Sequence, residues 1–409
     1  MRALAFLVAL LVASAASAAV DRAAVERQFQ SWITANVWPE ARDAKVSRAT
    51  FDAAFAGVTL DWTMPDLIPP GTETSPPTVE WQREFGSPGA YFGEKNLATL
   101  AAMGRARLKQ WQATLAAIEK RYGVPGPILL AIWAKETGYG AEKLPKPAIR
   151  ALATEAFMGR RAEFFRKELI AALVILENGD IALGNMRSSV AGALGQPQFM
   201  PSQFLKYASD GDGDGHRDIW NSVPDTLASI ARFLSAEGWN RTRGWGLEAR
   251  APAKVACSLE GPEQFKPMGE WARLGITKVG GEPLPVVGDR TAGLLMPAGR
   301  FGPAFIVTEN FYALKRYNNS DLYALYIGNL ADRIASGSGA FSAAWGKVGG
   351  FNRGDVKAMQ DALVRDGYDV GNADGLVGFK TRIAIGRWQA KHGEAQTCFP
   401  DAQDVKEIR

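Results

Sequence analysis

Between Val25 and Phe55 apolar residues recur at three- and four-residue intervals, at Phe29, Trp32 and Ile33 and again at Phe51 and Phe55, which is the period of an amphipathic helical run. Residues 96–123 and 148–178 carry the same period and predict further helices. The stretch DLIPPGTETSPPT, residues 66–78, predicts a loop because its prolines and glycine forbid regular structure. From 247 to 309 the pattern changes to short runs such as PLPVVG and FGPAFIVTEN, separated by glycine and proline, and this predicts a small β-rich insert. A helical run ending near Ile334 then gives way to the small-residue stretch SGSGAFSAAWGKVGG, in which residues 336–348 read as a linker. Beyond it, Val356, Met359 and Leu363 form one stripe and Thr381, Ile385 and Trp388 another, predicting two short helices around a turn-rich loop with no clear third helix after His392. The expected architecture is mainly α: an α+β body over residues 19–335 with a small β insert, and a small helical domain over 349–409.

The first residues stand apart. One arginine, an apolar run from Ala3 to Val12 and the small-residue site Ala16-Ser17-Ala18 predict a secretory signal peptide over 1–18. The run is too short for a mature spanning helix, and no cysteine follows it to take a lipid. The expected location is the periplasm.

Composition narrows the chemistry. Lys+Arg 47 against Asp+Glu 43 gives a net charge of +4 over 409 residues, too slight to argue for a nucleic-acid partner. There are two histidines, His216 and His392, and two cysteines, Cys257 and Cys398, all far apart, so no clustered zinc motif can be written. A serine triad needs an imidazole as base, and neither histidine stands in such a motif. Carboxylate chemistry moves up by elimination. In an oxidising compartment the cysteines could bridge the middle of the chain to its tail, or be two thiols; spacing leaves both open.

In YGVPGPILLAIWAKETGYGAEKLPKP, Pro127 suits a first helical turn, and the helix runs from Ile128 until Gly138 and Gly140 stop it. Glu136 lies seven residues after Leu129, four after Ile132 and three after Trp133, which places its carboxylate on the apolar stripe. Desolvation there would raise its pKa and suit it to protonate a leaving oxygen. The alternative is a helix-end glutamate paired with Lys135 or Lys143, and spacing alone does not separate the two.

A second constellation, SSVAGALGQPQFMPSQFLKYASDGDGDGHRDIW, combines Ser189, a glycine-rich turn, Gln198-Phe199-Met200-Pro201 and an acidic loop. Together with A-x-x-x-E-T-x-x-G around Glu136, it resembles the lytic murein transglycosylase B family, enzymes that cleave the glycan strands of peptidoglycan. The resemblance covers roughly residues 25–335 and implies a lysozyme-like catalytic domain. It makes Glu136 the single acid/base, Ser189 and Gln198 cleft residues that bind sugar, and, in FYALKRYNNSDLY, Tyr317, Asn318 and Tyr323 the second cleft wall. Where the family pattern leads one to expect a tyrosine, this chain has Phe233. The implied reaction cleaves the MurNAc-GlcNAc β-1,4 bond and closes a 1,6-anhydro ring. A hydrolytic muramidase would use the same glutamate with water, and a catalytically silent wall-binding scaffold would not need it.

In the acidic loop Asp210, Asp212 and Asp214 occupy positions 1, 3 and 5 of an EF-hand-like calcium site, Gly215 the turn at position 6, and His216 position 7, which ligates through its carbonyl. Position 12 is Asn221 rather than a bidentate glutamate; the resemblance assigns the missing ligand to Asp225. The predicted cofactor is a weakly held, structural Ca2+, with no organic cofactor. A plain Asp/Gly turn without metal is the alternative. The tail, through its GYDVG, DG and TRxAIxxWQ elements, resembles a small peptidoglycan-binding domain and implies a role in raising local substrate concentration. The partners expected are glycan strands and, for a monomer acting on the wall, wall-synthesis or wall-remodelling proteins.

Overall fold

Residues 126–137 form the axis around which the body is built. In the computed structural model, which describes residues 20–72 and 88–408, nearly every side chain of this helix from Ile128 to Ala134 is buried, the mark of a helix packed on all sides. The signal peptide expected over 1–18 and the end of the 66–78 loop lie outside the described residues.

Along the chain, α1 (Arg22–Trp32) runs through a π-helical turn (Ile33–Val37) into α2 (Trp38–Asp43), followed by α3 (Arg48–Phe55). Then come α4 (Glu94–Gln110), α5 (Gln112–Tyr122), α6 (Gly126–Thr137), α7 (Ala148–Met158) and α8 (Ala162–Glu177). The body continues with α9 (Pro201–Tyr207), α10 (Val223–Ala236), α11 (Met268–Arg273), α12 (Glu309–Tyr317) and α13 (Asp321–Ser336). The C-terminal domain holds α14 (Arg353–Arg365), α15 (Phe379–Lys391) and the short α16 (Asp404–Glu407). The predicted helical runs are thus present but interrupted: 96–123 breaks at Trp111, and 148–178 breaks between Gly159 and Arg161.

The strands are β1 (Lys146–Pro147) paired with β2 (Arg187–Ser188), and β3 (Gly246–Arg250), β4 (Lys266–Pro267), β5 (Thr277–Lys278), β6 (Thr291–Leu295) and β7 (Ala304–Val307). The last five form one antiparallel sheet in the order β4-β6-β7-β3-β5, the predicted insert. Its buried residues, among them Trp271, Leu294 and Ile306, make a core distinct from the helical one. The fold is mainly α with a small antiparallel sheet, as expected. Among the described residues no helix is long and apolar enough to cross a membrane.

One expectation needs correction, and the connecting segment gains detail. Residues 336–348 connect the domains but do not hang free. Phe341 packs between Phe92 and Phe305 at 5.3 and 4.9 Å, Trp345 stacks on Phe92 at 5.1 Å, and the amides of Ser342 and Ala343 each donate to the Glu248 carboxylate at 2.8 Å. Small residues dominate the composition, but two aromatics decide where the segment lies. The tail, read as lacking a third helix, has one in α16, whose Val405, followed by Ile408, closes a core of Val356, Met359, Leu363 and Trp388.

Cys257 and Cys398 are joined, 141 residues apart, linking the insert to the C-terminal domain. In the chain-entropy view a loop of this length stabilises on the order of 5 kcal/mol. Beside the bridge the packing is close: a side chain at Gly386 would collide with the Cys398 sulfur. Arg382 of α15 is also buried here, between Glu260 and Asp321. Removing one member of such a buried ionic cluster costs about 3–5 kcal/mol, because it strands a charge away from water.

Candidate functional site

α6 begins after Pro125, whose extended backbone suits an N-cap, with Pro127 in its first turn. It ends at Gly138 in the left-handed conformation, and Tyr139 (φ 64°) and Gly140 (φ 78°) continue in that region. Three such residues in a row turn the chain sharply away just after Glu136, so its carboxylate stands at the helix end beneath the α13 segment. Tyr139 is held in this backbone by its hydroxyl, which donates to Leu100 O at 2.8 Å, and by an edge-on contact with Trp133.

Glu136 is half-buried, and Tyr323 donates its hydroxyl proton to Glu136 Oε1 at 2.5 Å. Burial pushes the Glu136 carboxyl up to about 7, against the downward pull of the Tyr323 hydrogen bond and of the Lys135 charge, with Glu142 adding to the rise. Lys135 lies over the rings of Tyr91 and Tyr326 at 4.5 and 4.7 Å. Burial, and then the Glu136 charge, lift the phenols of Tyr323 and Tyr317 well above their ordinary values, so both stay protonated as donors.

Tyr317 stacks on Tyr323, rings 6.3 Å apart and nearly parallel, and donates to Pro197 O at 2.6 Å. That bond ties the α12 wall to the 195–199 turn. Gln198 sits in this turn at φ 55° with its amide donating back to Gly195 O at 2.9 Å, and Ser189 Oγ accepts from Ala193 N at 3.2 Å. Asn318, exposed, caps the end of α12. Phe233 is buried against Tyr207 and Tyr317, at 4.8 Å from each, and Phe199. The ring that replaces the expected tyrosine therefore supports Tyr317 by packing.

One polar residue escaped the sequence reading. Gln196 accepts from Trp133 Nε1 at 2.8 Å, donates to Trp220 O at 2.9 Å, and its carbonyl accepts from Thr137 Oγ1 at 2.9 Å. It joins the end of α6 to the segment leaving the acidic loop. Its only signal in sequence is an amide amid a hydrophobic turn.

In that loop one carboxylate oxygen from each of Asp210, Asp212 and Asp214 lies within 4.8 Å of the others. Asp210 accepts from Gly215 N and Gly213 N at 2.9 and 2.6 Å, and these bonds lower its pKa. Three converging hard oxygens with alternate spacing fit a calcium-sized ion. The side chains of His216 and Asp225 stand outside this group. His216 is exposed, and Asp225 is buried with its oxygens accepting from Gly211 N at 2.8 Å and Asp218 N at 2.7 Å, which clips the loop's two ends together. Asn221, at the twelfth position, donates to Asp218 at 2.9 Å.

A half-buried acid with a raised pKa, a tyrosine on its oxygen and tyrosine and amide groups nearby suit proton transfer to a bound saccharide. Comparison with known proteins gives the family. Residues 28–332 match the family model "Transglycosylase SLT domain", and residues 352–403 match "Putative peptidoglycan binding domain". Membrane-bound lytic murein transglycosylase B of Escherichia coli (strain K12) is 32% identical over 220 residues, 52% of this chain; the chain covers 58% of that relative's length. SltB3 from Pseudomonas aeruginosa, crystallised in complex with NAG-anhNAM-pentapeptide, is similar at 38% identity and a TM-score of 0.78, over 93% of this chain and 99% of its own. Lytic transglycosylase Slt35 of Escherichia coli, solved in complex with calcium, is 29% identical with a TM-score of 0.52, over 60% of this chain and 78% of its own. The chain belongs to the SLT-domain family of lytic murein transglycosylases that carry a C-terminal peptidoglycan-binding domain.

Proposed function

We propose that this protein is an exported, periplasmic and monomeric lytic transglycosylase that cleaves the MurNAc-GlcNAc β-1,4 bond of peptidoglycan and leaves 1,6-anhydro-MurNAc ends. The observation that carries the reading is Glu136: a carboxyl with a pKa near 7, in hydrogen-bond contact with Tyr323. Such a group is protonated for much of the time at neutral pH and can give its proton to the leaving O4. As the C1–O4 bond breaks, the sugar's 2-acetamido group stabilises the cationic C1, so a second protein carboxylate is not required. Glu136, now a carboxylate, takes the proton from the 6-hydroxyl of the same muramic residue, and O6 closes on C1. Attack within one sugar has a high effective concentration, and no water is consumed. Tyr323 holds the charged form of Glu136 between the two proton transfers.

Ser189, Gln198, Tyr317 and Asn318 bind the glycan strand around that centre; amide and hydroxyl groups match sugar hydroxyls and acetamides, and the tyrosine rings offer apolar faces. Asp210, Asp212 and Asp214, with the His216 carbonyl, would hold a structural calcium ion, with Asp225 bracing the loop from behind. The ion would supply rigidity near the cleft, not chemistry. The support from relatives is that SltB3 was crystallised with a peptidoglycan fragment carrying an anhydro sugar and Slt35 was solved with calcium.

Mass spectrometry of sacculi digested with the protein tests the reaction. Anhydro-muramyl products are expected; reducing ends in their place would make it a hydrolase. Glu136→Gln should release no soluble glycan, and release at the wild-type rate would end the assignment.

A further inference from the structure

A buried side chain of the C-terminal domain reaches the start of α13. Arg382, on α15, is 2% exposed. Its Nε and Nη2 donate to the two Glu260 oxygens at 2.8 and 2.9 Å, and Nη2 also reaches Asp321 Oδ2 at 2.9 Å. The other Asp321 oxygen takes Lys315 Nζ at 2.7 Å. Burial alone would raise the Asp321 carboxyl; the Lys315 and Arg382 charges outweigh it and hold it near 2, so Asp321 is ionised.

The position of this cluster matters more than its energy. Asp321 is the first residue of α13, and Tyr323 follows two residues later, about 200° around the helix. The pinned carboxylate and the phenol that meets Glu136 therefore leave the helix start on nearly opposite sides. Ser320 Oγ caps the same turn by accepting from Tyr323 N at 3.2 Å. Lys315 lies on α12, two residues before Tyr317, whose ring stacks on Tyr323. One ionic cluster thus grips both segments that carry the tyrosine pair.

We infer that Arg382 of the C-terminal domain is a positioning residue for the reaction: by holding Asp321 it fixes the start of α13 so that the Tyr323 hydroxyl meets Glu136. The domain then has a task beyond wall binding, because the glutamate's partner depends on it. This rests on the assignment of Glu136 as acid/base.

The test uses the full chain, with glycan release from purified sacculi followed as a function of pH and of sacculus concentration. Arg382→Met alone strands Glu260, so the informative protein is Glu260→Gln/Arg382→Met, which leaves Asp321 paired with Lys315. Asp321→Asn approaches the same contact from the other side, should the first variant fold poorly. Each is expected to lower the maximal rate about 10- to 100-fold with half-saturation little changed, as for misplacement of a reacting group. Each should also move the alkaline limb of the pH profile in the same direction as Tyr323→Phe, and neither should add a further loss when combined with Tyr323→Phe. Wild-type maximal rate and pH limb in both folded variants would overturn the inference, as would losses that multiply with that of Tyr323→Phe. Glu136→Gln separates the two levels: if it is inactive while the Arg382 and Asp321 variants are normal, only this inference falls; if it is active, the acid/base assignment falls and takes this one with it.

Discussion

Tyr323 and Glu136 lie 187 residues apart in the chain and 2.5 Å apart in the fold, the phenol donating to one carboxylate oxygen. A donor on the charged form of a buried acid lowers its pKa, while the surrounding burial raises it, and burial wins at Glu136.

Tyr323→Phe should therefore raise the Glu136 pKa further and shift the alkaline limb of the rate profile to higher pH. The maximal rate should fall about 10- to 100-fold, since a hydrogen bond to a charged group contributes about 1.5–3 kcal/mol. Initial rates of glycan release between pH 5 and 9 check this; an unmoved limb would mean the bond does not act on the titrating group.

Glu136 also links stability to pH. Its folded pKa, about 7, is above the ordinary 4.5, so its contribution is fully present below pH 4.5 and is lost as pH rises through 7. The loss is on the order of 3 kcal/mol. Glu136→Gln should melt higher than wild type at pH 8 and close to it at pH 4.5, which thermal melts at the two pH values will show. Equal melting points at pH 8 would contradict a desolvated carboxylate.

Calcium binding by Asp210, Asp212 and Asp214 predicts that melting in millimolar calcium exceeds melting in chelator. An ion at ten times its Kd adds about 1.4 kcal/mol, or about 2–4 °C. Asp212→Asn/Asp214→Asn should abolish the difference, and identical wild-type curves would leave the loop a plain turn.

The Cys257–Cys398 bridge should matter to stability more than to chemistry. Cys257→Ser/Cys398→Ser should melt about 5 °C or more below wild type, while the pH profile of glycan release keeps its shape. A variant with unchanged melting would show that the interface around Gly386 and Arg382 holds without the bridge.

Much of the site was legible in sequence because it is local. The period of 128–137, its flanking prolines and glycines, and the offset of Glu136 from Leu129, Ile132 and Trp133 describe the helix as it stands. Asp210, Asp212 and Asp214 converge because alternate residues on a tight loop must. What sequence hid is long-range or averaged. The Tyr323 contact required the packing of α13 over α6. Arg382 reads as an ordinary helix arginine until Glu260 and Asp321, 122 and 61 residues away, are seen beside it. The packing of the joining segment was not legible because its glycines and serines outnumber the two rings, Phe341 and Trp345, that fasten it.

The disulfide closes a covalent ring from residue 257 to residue 398, and α12 and α13, the wall that carries Tyr317 and Tyr323, lie inside that ring. A single protease cut anywhere between the cysteines, the joining segment included, leaves one covalent molecule. The C-terminal domain of the oxidised protein cannot be shed by one nick. After one cut in the joining segment, its release still requires reduction of the bridge.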